Sequence, residues 1–134
     1  MVFAESGTLD VGGFGAATVF WWNSMIFVTG PLYAGKREYI RSALGLSEKE
    51  FAACAIWDVQ ELALTLEWEK LLKKLGEKEI VIATEIGGGL IPVKAEQRAK
   101  REAAGRLACQ LAGEADTVIR VCCGLPQLLK GNWP

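Results

Sequence analysis

Residues Gly30-Pro31-Leu32-Tyr33-Ala34-Gly35-Lys36 fit the spacing GxxxxGK. Such a stretch suits phosphate because glycines let the backbone curl until successive N–H groups point at the anion. The next helix then presents its positive end, and the lysine reaches the outer phosphates. The apolar run "MIFVT" (25–29) precedes the loop and the charged stretch "KREYIRSALGL" (36–46) follows it, the strand–loop–helix order this chemistry requires. Pro31 removes one amide donor but fits a tight turn. Next comes Arg37, where the pattern calls for a Ser or Thr hydroxyl to ligate the magnesium ion that bridges the terminal phosphates. A guanidinium has five donors and no acceptor, so it can meet a phosphate directly but cannot ligate a cation. Residues 30–37 therefore read as a loop for a nucleoside triphosphate in which metal-assisted transfer is weakened.

A Mg²⁺ site also needs carboxylates at neighbouring strand ends. Asp58 closes "CAIWD" and Glu85 closes "EIVIAT". Ligands of open α/β sheets bind beyond the carboxyl ends of the strands, so Gly30, Asp58 and Glu85 should converge on one edge, with Lys36, Asp58 and Glu85 as the catalytic candidates. The plainer alternative for each carboxylate is a helix cap. The chain contains no histidine. That excludes Ser/His and Cys/His nucleophile pairs and any phosphohistidine or nucleotidyl-histidine intermediate. Cys54, Cys109, Cys122 and Cys123 show no CxxC spacing. They read as reduced core thiols, which fits a cytoplasmic protein. A net charge of −1 offers no basic field for nucleic acid or an anionic membrane.

The elements that must position these residues make up a single domain, since 134 residues allow one compact core. Residues 11–35 carry no charge, yet Gly12, Gly13, Gly15, Asn23 and Ser24 interrupt them and no basic cluster flanks them, so no membrane span or signal peptide is expected. "ATVFWW" (17–22), the Asn23-Ser24 turn and residues 25–29 suggest an antiparallel hairpin at a sheet edge. Helices are expected over 36–46 and 47–55, the second opened by a Ser47/Glu50 capping box. Another should run from Gln60 to Leu75, with Leu64, Trp68, Leu71, Leu72 and Leu75 on one face and Gly76 as its stop. The longest spans 95–114, with Ala99, Ala103, Leu107 and Leu111 recurring every four residues. Strands are expected at 54–58, 79–84 and 117–124, the last of these being the final strand; the tail after it is assigned no role. Alternating strands and helices call for a mostly parallel sheet in an α/β fold.

Residues 84–130 also carry the motifs of a known family. Glu85, Gly87, Gly89, Ile91 and Pro92 match an "NEVG.GIVP" turn. Gly105, Arg106, Ala112, Ala115 and Asp116 match a helix bearing "GR.NQ..A..AD", and Gly124, Pro126, Leu129 and Lys130 match a "G.P..LK" end. In this the chain resembles the bifunctional adenosylcobinamide kinase and adenosylcobinamide-phosphate guanylyltransferase of cobalamin biosynthesis. With the loop included, the resemblance runs from residue 25 to residue 131 and leaves 1–24 as an extension. It implies a P-loop NTPase-like three-layer domain, GTP or ATP with Mg²⁺, a corrinoid (cobinamide) as second substrate, and a homo-oligomer. Lys36 carries over as the phosphate-binding lysine and Glu85 as the turn carboxylate. Asp58 carries over if "CAIWD" aligns with the strand before the family's D-C-x-T motif, which this chain lacks. Thr84, Arg37, and Ala108-Cys109 depart from the family's Asn, Ser and Asn-Gln. The region that places the family's GMP-carrying histidine is missing, so guanylyl transfer by that route is not expected. Two readings stay open: a reduced kinase transferring the γ-phosphoryl to a corrinoid hydroxyl, or a non-catalytic nucleotide- or corrinoid-binding relative. A folded remnant that binds nothing tightly is the third.

Overall fold

A computed structural model describes residues 25–64, 67–86 and 93–134. In chain order its elements are β1 (Ile26–Gly30), α1 (Lys36–Leu44), α2 (Glu48–Cys54), β2 (Ala55–Ile56), a 3-10 helix (Val59–Leu62), α3 (Trp68–Gly76), β3 (Ile80–Thr84), α4 (Ala95–Glu114), β4 (Thr117–Cys122) and β5 (Leu125–Lys130). The strands form one sheet in the order β2-β3-β1-β4-β5. Strand β1 runs parallel to both neighbours, with Ile26 opposite Ile80 on one side and Thr117 on the other. β2 is parallel to β3, and only β5 is antiparallel. The α/β class and the mostly parallel sheet expected from the sequence are therefore present.

Alternating strand side chains divide the core into two layers. On one face Phe27, Val81, Ala83 and Val118 pack against Leu71 and Leu75 of α3 and Leu107 and Leu111 of α4. On the other, Val28, Ile82, Ile119 and Val121 pack against Ile40 of α1 and Phe51 of α2. Both faces are covered by helices, which is why "IVIAT" and "TVIRV" read as near-continuous apolar runs.

The expected hairpin does not fit this sheet. Residues 17–22 lie outside the described residues, but their intended partner, 25–29, is the central strand, and both its hydrogen-bonding edges are taken by β3 and β4. The helix expected over Gln60–Leu75 starts later. Gln60 is buried and its Oε1 accepts the Thr84 amide at 2.8 Å, which draws residues 59–62 into a 3-10 helix and leaves only Trp68–Gly76 as α3. Leu64 is accordingly exposed. The strand at 54–58 shrinks to Ala55–Ile56. α4 spans the expected residues, although Ala99 faces outward in its exposed first turns. The capping box of α2 is formed: Ser47 Oγ accepts from the Glu50 amide and Glu50 Oε1 from the Ser47 amide. β4 is not the last strand, because Leu125–Lys130 folds back on it as β5.

Candidate functional site

The Gly30–Lys36 loop leaves the carboxyl end of the central strand, flanked by the ends of β3 and β4. Its first residue must be glycine: φ is +152°, and a Cβ built there would lie 2.1 Å from the carbonyl oxygen of Val121. Gly30 O accepts the Glu85 amide at 2.9 Å, fixing the chain after β3 to the base of the loop. On the other side Ala34 O accepts the Gly124 amide at 2.8 Å, so the tip of the β4–β5 hairpin holds the top. The loop turns through Tyr33 at φ 59° between these ties and through Gly35 at φ 86° directly after them. Leu32 and Tyr33 project into solvent, whereas Ala34 is buried. Gly35 is the N-cap of α1 and offers no side chain to its first amides, which keeps that end of the helix open.

Lys36 opens α1 and is only 8% exposed. Its Nζ folds back over the loop and donates to Pro31 O at 2.7 Å. Burial holds the ammonium below its usual pKa, while Asp58, Glu85 and Glu38 pull it back up and Arg37 lowers it further. Asp58 and Glu85 therefore both act on Lys36, as expected if the strand ends converge. Asp58 is the exposed N-cap of the 3-10 helix at φ 58°, a conformation that aspartate tolerates better than most side chains. It makes no side-chain cap there, so the helix-cap alternative does not describe it.

Glu85 is engaged elsewhere. Arg120, from the middle of β4, reaches over the end of β1 and grips it with Nε on Oε2 at 2.7 Å and Nη2 on Oε1 at 2.9 Å. The forked bond raises the Arg120 pKa. Sequence reasoning did not single out Arg120, although a lone charge inside the apolar run "TVIRVCC" was the available signal. Arg37 turns away from the loop: its guanidinium lies 5.3 Å from the centre of the Trp57 ring, which stacks in turn on Phe51 at 5.4 Å. Trp57 and Gln60, which ties the 3-10 helix to the end of β3, were also missed; a Trp directly before the candidate carboxylate was the only hint. A shallow depression of about 380 Å³ lies beside this stack, lined in part by Arg37, Phe51 and Trp57. A second groove, of about 880 Å³, lies between α4 and the start of α3 and includes Trp68, Gly105, Arg106 and Cys109.

The arrangement gathers a buried ammonium, two carboxylates and the Arg120 guanidinium around a loop whose tight turns need Gly30 and Gly35, while Arg37 rests on Trp57. Among the described residues no three Cys, Asp or Glu side chains come together in a way that could hold a metal. No helix among them is long and apolar enough to cross a membrane. No curated protein matches the chain. The model of the family described as cobinamide kinase / cobinamide phosphate guanyltransferase matches residues 51–129, which takes in Asp58, Glu85, Arg120 and the hairpin tip and begins after the loop and α1. Because that match covers more than half of the sequence, this chain belongs to the cobinamide kinase / cobinamide phosphate guanyltransferase family.

Proposed function

We propose that this chain is a nucleotide-binding member of its family that holds the phosphates of GTP or ATP at residues 30–37, in a P-loop NTPase-like domain. The observation that carries the reading is Lys36: a buried ammonium, lowered in pKa by desolvation, on a loop held from both sides and opening an uncapped helix. A cation kept partly desolvated gains more from an incoming phosphate than one already in water. The chemistry open to the site is at most transfer of the γ-phosphoryl to a corrinoid hydroxyl such as that of cobinamide. Asp58, whose carboxylate is unpaired among the described residues and acts by its charge on Lys36, is then the group assigned to accept the hydroxyl proton. Guanylyl transfer through a histidine is closed to a chain without one.

The Arg120–Glu85 pair favours the second reading, a non-catalytic binder, because the family's turn carboxylate is already committed. Two measurements on the intact chain separate the cases. Fluorescent GTP and ATP analogues should bind the parent, and Lys36→Met should bind about 10- to 100-fold more weakly, the loss expected for one charge-assisted contact. Phosphorylated cobinamide appearing with NTP would establish the kinase. Binding without product would establish the binder, and equal binding by Lys36→Met would remove the loop as the site.

A further inference from the structure

A metal-dependent phosphate site needs acceptor groups, in practice a hydroxyl beside the lysine and a free carboxylate at a neighbouring strand end, because magnesium takes oxygen ligands in near-octahedral geometry. The hydroxyl is absent here, and of the two strand-end carboxylates one is already taken. The residue after Lys36 is Arg37, which has donors only. At the end of β3, both oxygens of Glu85 already accept from Arg120, at 2.7 and 2.9 Å. Such a bidentate pair is among the stronger polar contacts a protein makes, so a metal would have to displace a guanidinium to reach Glu85. Asp58 remains, one exposed carboxylate whose charge acts on Lys36. The residues present do not fit a bound Mg²⁺.

What they do supply is positive charge. Arg37 rests on the neutral face of Trp57 and makes none of the carboxylate ion pairs found among the described residues. An exposed cation–π contact is worth about 0.5–1 kcal/mol, less than a charge-assisted bond to phosphate at about 1.5–3 kcal/mol, so a phosphate at the loop can draw the side chain off the ring. We infer that this site takes its nucleotide free of divalent metal, with Lys36 and Arg37 neutralising the phosphates and Arg120 keeping Glu85 from recruiting a cation. The inference rests on the nucleotide-binding reading above and goes beyond it by naming the charge state of the ligand.

The test is calorimetric titration of the full chain with GTP and with ATP at constant ionic strength, once with excess MgCl₂ and once with EDTA. The affinity in EDTA should equal or exceed that in Mg²⁺, and Arg37→Ala should lower the EDTA value by about tenfold. The double variant Arg37→Ser/Arg120→Gln, which returns a hydroxyl and frees Glu85, should bind more tightly in Mg²⁺ than in EDTA. Binding by the parent that tightens tenfold or more in Mg²⁺ overturns the inference and leaves the nucleotide-binding reading standing. No binding in either buffer overturns both. A double variant that remains indifferent to Mg²⁺ shows that the two guanidinium groups are not the cause and overturns the inference as well.

Discussion

Lys36 links stability to function in opposite directions. Its folded pKa is depressed by burial, so between that value and the ordinary 10.5 the unfolded chain binds more protons than the folded one. Stability should therefore rise with pH through that window, and the cost of burying the charge is present in full below it. Lys36→Met removes the charge at similar length. Its melting temperature should match or exceed the parent's near neutral pH, and the advantage should shrink as the pH climbs towards 10.5, read as the difference between the two melting curves. Gly30 is less forgiving. Gly30→Ala puts a methyl 2.1 Å from Val121 O, so the loop or the end of β4 must move. A loss of about 3 kcal/mol in chemical denaturation is expected, with nucleotide binding lost alongside it. The need for glycine at residue 30 was legible in the GxxxxGK spacing. The Arg120–Glu85 pair was not, because the residues lie far apart in sequence and meet only when β1 separates β3 from β4.

Local chemistry was readable wherever one element satisfied its own needs. The α2 capping box closes within four residues, and Ser47→Ala should cost about 1 kcal/mol by shifting the denaturation midpoint without changing its slope. α4 was readable because Leu107 and Leu111 follow the helical period and bury fully. Leu107→Ala should cost about 2–5 kcal/mol on the same assay. Elements fixed by distant partners were not readable. Gln60 looked like the start of a helix, but its buried amide oxygen serves Thr84 instead. β5 shows no alternation and contains Pro126, yet among the described residues it sits at the sheet edge, where a missing amide costs nothing on the open side. Its Lys130 Nζ reaches back to the carbonyls of Ala112 and Gly113, both at 3.0 Å, near the carboxyl end of α4. That contact favours a cation in that position, and no short-range pattern announces it.

At the scale of the whole molecule, the sheet of the described residues runs from β2 to β5 with β1 at its centre. With β1 enclosed on both sides, a chain lacking residues 1–24 should still melt cooperatively, which circular dichroism would check; broad, non-cooperative melting would mean that the extension contributes to the core. The same closure orders events during synthesis. The loop's upper tie joins Ala34 to Gly124, residues separated by most of the chain's length. Contacts of such separation form late, because a long loop must close before they contribute. A nascent chain still on the ribosome with β1, α1 and the loop already exposed therefore has no top to its cradle. On the proposed nucleotide-binding reading, ligand-dependent protection from protease should appear only after the β4–β5 hairpin has emerged, because Gly124 must be present to close the loop.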